Sequence, residues 1–134
     1  MRIIHASAEH FPELQQLDTH IAEPELRSLV AQNRILILED KGKLLGWLRW
    51  NLFWDNTPFM NMLFVADSQR GKGLGRMLVL HWEEEMRQLG YESIMTSTAS
   101  DEYAQHFYQK LGYDTIGGFT PYGDPYELIL AKLL

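Results

Sequence analysis

The clearest indication of the fold is the segment Ser68-Gln69-Arg70-Gly71-Lys72-Gly73-Leu74-Gly75-Arg76. It combines three glycines and three cations without an acidic residue. An extended apolar segment, Phe59 to Val65, precedes it. A run of helical period follows it, ends at Gly90 and includes Leu74, Leu78, Trp82, Met86 and Leu89. Backbone amides of a glycine loop approach anions closely, and a helix start carries roughly half a positive charge. The pattern therefore predicts a strand, loop and helix unit that binds phosphate.

Two common phosphate-binding motifs do not fit this loop. The dinucleotide motif GxGxxG needs a third glycine where Arg76 stands in one register and Leu78 in the other. The Walker motif GxxxxGK[ST] fails because Gly71-Lys72 continues into Gly73, with no Ser or Thr after the lysine. A nicotinamide cofactor and nucleoside triphosphate hydrolysis are both disfavoured.

Length and composition predict a single domain spanning residues 1 to 134, large enough for one core. Twelve Lys and Arg against 18 Asp and Glu give a net charge of −6, the wrong sign for a nucleic-acid partner. No apolar run approaches the roughly 18 residues that cross a bilayer, so we expect no membrane partner and a cytoplasmic protein. With no cysteine, neither a thiolate metal site nor a cysteine nucleophile is available, and no metal is expected.

The predicted elements alternate along the chain. A strand near Arg2 to Ala6 precedes two amphipathic helices, the second over Glu25 to Gln32. Further strands follow at Ile35 to Leu38, Leu44 to Trp54, Phe59 to Val65, Glu92 to Ser97, Tyr113 to Phe119 and Tyr126 to Leu133. Ser100 or Asp101 is expected to cap a short helix that ends at Gly112. This order predicts an α/β fold with mixed strand directions. The strands Phe59 to Val65 and Glu92 to Ser97 flank a helix and are expected to be parallel to each other.

Two motifs together resemble a known family. Arg70-x-x-Gly73-x-Gly75, with Gln69 and the strand Leu63-Phe64-Val65 before it, is similar to the acetyl-CoA signature of the GNAT N-acetyltransferases. Some thirty residues later, Ala104-x-x-Phe107-Tyr108-x-Lys110-Leu111-Gly112-Tyr113 is similar to that family's second signature. The resemblance implies a mixed central sheet of about six to seven strands flanked by about four helices.

The resemblance also implies where acetyl-CoA binds. In the family, the strand before the glycine loop splays from the next parallel strand, and a backbone N–H in the wedge polarises the thioester carbonyl. That donor corresponds to Leu63, with Phe64 and Val65 pairing with the pantetheine arm. Tyr108 matches the general acid that protonates the leaving thiolate, and Asp101 stands where many members have an asparagine. The cofactor-binding residues expected on this basis are Leu63, Phe64, Val65, Gln69, Arg70, Gly71, Lys72, Gly73, Leu74, Gly75, Arg76, Asp101 and Tyr108.

The general base is not apparent from the sequence. Members often carry a glutamate at the position of Asn61 or Met62, and neither residue is ionisable. A proton could pass through water to a more distant carboxylate, or the amine could arrive neutral; His20, His81 and His106 are alternatives in principle. With no cysteine to carry an acetyl group, direct transfer in a ternary complex is expected.

The acceptor is expected to be a small-molecule or peptide amine. Trp50 and Trp54, at period two on one strand, with Asp55 and Tyr122, could form a pocket for a cationic amine. The same aromatic residues could instead be core or a dimer surface, so a homodimer is left open. The missing glutamate keeps a second function open, a coenzyme A-binding sensor or interaction domain with little transferase activity.

Overall fold

A computed structural model describes all residues from 1 to 134. Seven strands form one sheet in the order β1-β2-β3-β4-β5-β7-β6. The strands are β1 (Arg2–His5), β2 (Ile35–Asp40), β3 (Lys43–Phe53), β4 (Thr57–Val65), β5 (Ser93–Ala99), β6 (Asp114–Phe119) and β7 (Glu127–Leu133). All neighbouring pairs are antiparallel except β4 and β5, which are parallel. The mixed sheet of seven strands with four helices confirms the predicted architecture.

Four α-helices flank the sheet: α1 (Phe11–Leu17), α2 (Glu23–Ala31), α3 (Leu74–Gln88) and α4 (Ala104–Lys110). The helix α3 buries the predicted stripe of Leu74, Leu78, Trp82 and Met86, because residues three or four apart share one face of a helix. Gly90 and Gly112 both adopt a φ of 94°, as expected for the left-handed residue that ends a helix.

The two faces of the sheet carry separate cores. On one face, α3 and α4 cover a cluster that includes Leu48, Met60, Leu78, Trp82 and Tyr108. On the other face, α1 and α2 cover β1 to β4 through Leu14, Leu26, Leu29, Ile37 and Trp47. Complete burial of one such apolar side chain is worth about 1.5 to 3 kcal/mol. The sheet therefore separates two hydrophobic cores, and a gap between its strands would be accessible from both faces.

The sequence located the elements to within a few residues, with one exception at α4. Neither Ser100 nor Asp101 caps this helix; its N-cap is Tyr103, and no side chain there accepts a capping hydrogen bond. Ser100 and Asp101 instead lie in the turn that follows β5. The residues between β5 and α4 thus form a connecting loop, and the predicted cap is wrong. No helix is both long and apolar enough to span a membrane.

Candidate active site

A gap between β4 and β5 forms the centre of the site. The two parallel strands pair only at Phe59 with Met95 and at Met60 with Thr96. Beyond Met60 and Thr96, both strands continue without pairing, β4 to Val65 and β5 to Ala99. The neighbouring ladder is irregular here as well, because Arg49 is opposite Met62 whereas Trp50 is opposite Met60. Asn61 is thus the extra residue of a β-bulge, which bends its strand at the mouth of the gap.

A cavity of about 690 Å³ occupies this gap. Its walls come from both faces of the sheet. Leu63, Thr96 and Tyr108 line it from the side of α3 and α4, and Arg49 and His20 line it from the side of α1 and α2. The cavity is therefore lined by residues from both sides of the sheet.

Tyr108 is the buried acid of this cavity. Its side chain comes from α4, and the residue is 6% exposed. Burial raises the pKa of Tyr108 to about 12, while a side-chain hydrogen bond with Thr96 lowers it and the nearby Glu102 carboxylate raises it. The phenol therefore keeps its proton throughout the physiological range and can donate it as a hydrogen bond.

The glycine loop has the backbone that an anion site needs. Gly71 and Gly73 both have a φ of 78°, which L-residues rarely adopt, and no atom lies within 4 Å of where a Cβ would stand. Gly73 is the N-cap of α3, and no side chain caps the helix. The first amides of α3 therefore lack a side-chain partner, and the loop is uncrowded at both glycines, which suits a phosphate group.

The three cations of the loop differ in their partners. Arg70 forms an ion pair with Asp67 at 2.9 Å and also donates from Nε to the Val65 carbonyl oxygen at 3.1 Å. Lys72 donates to the Gln69 side-chain oxygen at 3.3 Å. Arg76, on the first turn of α3, is exposed and has no ion-pair partner. Lys72 and Arg76 thus carry charges that no carboxylate of the protein neutralises, and Arg76 also makes no side-chain hydrogen bond.

The remaining predicted cofactor residues lie in different surroundings. Leu63 lines the cavity, Val65 packs against the core under α3, and Phe64 stacks on Trp47 on the opposite face. Leu74 is buried at the start of α3, and Gly75 faces the Phe107 ring. Asp101 lies in an adjoining hollow of about 400 Å³ beside the β6–β7 loop, outside the cavity that holds Tyr108.

The predicted acceptor residues do not come together, and this corrects the expectation drawn from their spacing. Trp50 is 3% exposed and belongs to the core between β3 and α3, because α3 packs on the face of β3 that carries it. Trp54 and Asp55 lie beyond the end of β3 in a turn, with positive φ angles, so the period of the strand no longer applies to them. Tyr122 is fully exposed in the β6–β7 loop and does not line the cavity.

Several residues of the cavity were not found from the sequence. Arg49, Glu102 and Glu127 line it, as do Thr96 and Thr98. Ile94, Thr96 and Thr98 are the buried residues of β5 and alternate with less buried ones, so they share one face of the strand. Strand periodicity could therefore have placed both threonines on the face that meets Tyr108. No sequence signal points to Arg49 or Glu127, which reach the cavity from strands on either side of the gap.

Comparison with known proteins identifies this arrangement. The model of the acetyltransferase (GNAT) family matches residues 2–113. The chain belongs to the GNAT acetyltransferase family. It is 29% identical over 132 residues to an IAA acetyltransferase of Azospirillum brasilense, covering 96% of this chain and 79% of that protein. Membership of the GNAT family implies acetyl-CoA as the acyl donor.

Solved structures of GNAT proteins share the fold. Ard1 from Thermoplasma volcanium superimposes with a TM-score of 0.85 at 15% identity, over 99% of this chain and 97% of that one. The PaiA N-acetyltransferase of Thermoplasma acidophilum, solved in complex with coenzyme A, gives 0.75 at 15% identity, over 99% and 98%. At such identities the likeness shows the GNAT fold alone. No group of three or more His, Cys, Asp or Glu side chains is placed to hold a metal ion.

Proposed function

We propose that residues 1 to 134 form a single acetyltransferase domain that moves an acetyl group from acetyl-CoA directly to a primary amine in a ternary complex. The observation that carries this proposal is the gap between β4 and β5, with Leu63 and Tyr108 on the walls of one cavity that opens to both faces of the sheet. The cofactor enters from the side of α3, and the amine enters from the side of α1 and α2.

The pyrophosphate of acetyl-CoA binds at the glycine loop in this proposal. The free amides at the start of α3 and the charge of Arg76 hold it, and Gln69, Arg70 and Lys72 lie at the rim. The pantetheine arm runs along Leu63, Phe64 and Val65 as an added strand, since this part of β4 lacks a partner on the side of β5. Asp101 lies near the outer end of the gap.

The transfer step needs an oxyanion donor and a partner for the leaving sulfur. The amine nitrogen attacks the thioester carbonyl carbon, the C–S bond breaks, and the proton lost by nitrogen ends on sulfur. The backbone N–H of Leu63 donates to the carbonyl oxygen as it gains charge, a contribution typically worth two to three decades of rate. Tyr108 donates to the sulfur.

The acidity of Tyr108 defines what it does for the sulfur. A thiol titrates near 8.5, whereas the pKa of Tyr108 is raised to about 12. Complete proton transfer from phenol to thiolate is therefore uphill by about 5 kcal/mol, at 1.36 kcal/mol for each pKa unit. Tyr108 thus stabilises the developing thiolate as a hydrogen-bond donor, and the proton that remains on sulfur comes in the end from the amine.

Glu127 is the carboxylate that takes the first proton from the bound ammonium in this proposal, so that a neutral amine attacks and its second proton ends on sulfur. It alternates on β7 with Leu128 and Leu130, which pack under α3, so Glu127 belongs to the face where the amine enters. Glu102 lies instead on the side of Tyr108, where its carboxylate accepts from Thr98 at 3.4 Å. Glu127 therefore replaces the glutamate that the sequence lacks at Asn61 or Met62, and water carries the proton to it.

The experiment that tests the function measures release of free coenzyme A from acetyl-CoA across a library of primary amines. Release that depends on an amine, with the acetylated product found by mass spectrometry, supports the proposal. Binding of acetyl-CoA without release for any amine would favour the alternative, a coenzyme A-binding sensor. An acetylated enzyme isolated before amine is added would contradict direct transfer.

Two further expectations from the sequence stay predictions. One is a homodimer, for which the uncovered face of β5, β7 and β6 offers exposed apolar residues such as Ile116 and Phe119. Light scattering at micromolar concentration measures the state directly. The other is localisation in the cytoplasm, which fractionation of cells would test.

A further inference from the structure

Arg49 is a buried cation in the cavity wall that the chemistry above does not use. Its side chain is 7% exposed. Its Nε donates to Oδ2 of Asp18 at 2.7 Å, and its Nη2 lies 3.4 Å from Oδ1. Its Nη1 donates to no group of the protein, yet it is not sealed from solvent, and the residue lines the cavity. One edge of the guanidinium is therefore occupied, and the other edge faces the cavity.

Asp18 holds this guanidinium in place. The carboxylate is 1% exposed and accepts hydrogen bonds from Trp47 Nε1 at 3.3 Å and from the backbone N–H of His20 at 3.2 Å. A guanidinium has five donors, and Asp18 engages Nε and one hydrogen of Nη2. The Nη1–Nη2 edge remains as a rigid fork of two parallel donors. That fork matches the two oxygens of a carboxylate.

Arg49 also lies on the side of the sheet where the proposed acceptor enters. Its partner Asp18 follows α1, and Trp47 belongs to the core under α1 and α2. Glu127 lies on the same face across the gap, and the two residues form no ion pair with each other. Three strand spacings separate β3 from β7, about 14 Å between backbones. The Arg49 and Glu127 side chains both line the cavity and take up part of this distance, and the space that remains between their charged groups fits a small molecule.

We propose that the acceptor is a free amino acid, whose carboxylate binds the open fork of Arg49 while its amine lies in the gap on the side of Glu127. The inference rests on the proposed acetyl transfer and narrows its acceptor class. A simple amine or diamine leaves the buried fork without an acceptor, and a peptide N-terminus carries an amide where the fork needs two anionic oxygens. A molecule that carries both a carboxylate and an amine pairs with Arg49 through the first and lies beside Glu127 with the second.

The first test compares matched acceptors on the unaltered protein. Each free L-amino acid is paired with its own amide and with the amine left after removal of the carboxyl group, and coenzyme A release gives kcat/KM. A hydrogen bond to a charged group is worth roughly a 10- to 100-fold effect. We expect at least one amino acid to exceed its amide and its amine by that factor. Equal or better turnover of the uncharged partners would overturn the inference.

The second test assigns the preference to Arg49. Arg49→Lys keeps a positive charge for Asp18 but has no fork, and Arg49→Met has neither. Arg27→Met is the matched control, because Arg27 is an exposed cation of α2 that lines a different hollow. We expect both Arg49 variants to lower the ratio of kcat/KM for the amino acid to kcat/KM for its amide toward one, because neither variant offers the carboxylate a fork. An undiminished preference in a folded Arg49→Lys variant would assign the carboxylate elsewhere and refute the role.

The outcomes separate this inference from the proposed function. If simple amines are acetylated and free amino acids are not, the acetyltransferase stands and the assignment of the acceptor class falls. If no compound with an amine releases coenzyme A while acetyl-CoA still binds, both fall. Calorimetric titration of the protein with coenzyme A and the preferred amino acid gives a readout apart from turnover, and binding abolished in Arg49→Lys supports the inference.

Discussion

Thr96 donates a hydrogen bond from Oγ1 to the Met60 carbonyl oxygen over 3.0 Å, at the last paired position before β4 and β5 separate. The same side chain also lies beside the Tyr108 phenol and lowers its pKa, against the larger effect of burial. One buried threonine therefore links the origin of the gap to the phenol that lines it.

Thr96→Val is expected to lower kcat about tenfold and the free energy of unfolding by about 1 to 3 kcal/mol. Valine has nearly the same shape but leaves the buried Met60 carbonyl without its donor and removes the hydroxyl that lies beside the Tyr108 phenol. Steady-state kinetics and urea denaturation measure the two effects. Thr96→Ser keeps the hydroxyl and serves as the control; a serine variant as slow as the valine variant would show that the hydroxyl is not what matters.

Tyr108→Phe is expected to lower kcat by roughly 100-fold or more, while the Kd of acetyl-CoA changes little, because the donor acts on the sulfur only as the C–S bond breaks. Stopped-flow or steady-state release of coenzyme A gives kcat, and calorimetry gives the Kd. Tyr103→Phe is the matched control, since Tyr103 is 73% exposed at the start of the same helix. Turnover at the normal rate with both substrates saturating would reject the role of Tyr108.

Stability is expected to fall in alkaline solution in a way that depends on Tyr108. The pKa of Tyr108 in the folded protein is raised from 10.0 to about 12, mainly by burial, so the unfolded chain loses this proton first. The associated stability is complete below pH 10 and is lost as pH rises through 12. Between pH 8 and pH 11 this loss amounts to about 1.4 kcal/mol.

Urea denaturation at pH 8 and pH 11 measures that loss. Tyr108→Phe should decrease the difference between the two free energies of unfolding by about the stated amount. Tyr122→Phe removes a fully exposed tyrosine and should leave the difference unchanged. An identical pH dependence in Tyr108→Phe and the unaltered protein would contradict the raised pKa. Burial and the Glu83 carboxylate also raise the pKa of Tyr113 well above its usual value, so part of the alkaline loss will remain.

Gly73→Ala is expected to weaken coenzyme A binding at least tenfold, whereas Gly123→Ala should not affect it. Both glycines have positive φ, 78° and 83°, and at both positions a Cβ would meet no atom within 4 Å. The backbone strain should therefore cost each variant a similar amount, about 1 kcal/mol. Only at Gly73 does the added methyl lie next to the amides that we propose bind the pyrophosphate. Equal affinities in the two variants would place the cofactor elsewhere.

Glu83→Gln is expected to destabilise the fold by about 2 to 4 kcal/mol. Glu83 is 1% exposed on α3 and accepts from the Tyr113 hydroxyl at 2.8 Å and the Lys132 ammonium at 2.9 Å. Without the carboxylate, a partly buried ammonium loses its counterion. Denaturant titration checks this, with the adjacent exposed Glu84→Gln expected to change stability by less than about 0.5 kcal/mol. Similar small effects in both variants would show that the buried ion pair contributes little.

Much of the fold could be predicted from local sequence because its signals are local. Leu74, Leu78, Trp82 and Met86 recur at helical period, and Gly90 ends that helix with a positive φ. The glycine loop and the helix with Tyr108 were recognisable for the same reason: each is a short motif whose chemistry depends on residues close together in sequence. These local patterns were enough to indicate the family and its acyl donor.

The acceptor side depended on the tertiary structure. Arg49 meets Asp18 across 31 positions of sequence, and it approaches the cavity because β3 pairs with β4 around a bulge. Glu127 reaches the same cavity because β7 lies beside β5. The prediction that Trp50 binds the acceptor was wrong, since strand periodicity separates the two faces of β3 but does not show that α3 packs against the face that carries Trp50. Neighbouring residues were thus sufficient to predict the glycine loop and the helix of Tyr108, because both motifs are local in sequence. Which side chains line the opposite wall of the cavity depends on the pairing of strands far apart in sequence, which local patterns do not reveal.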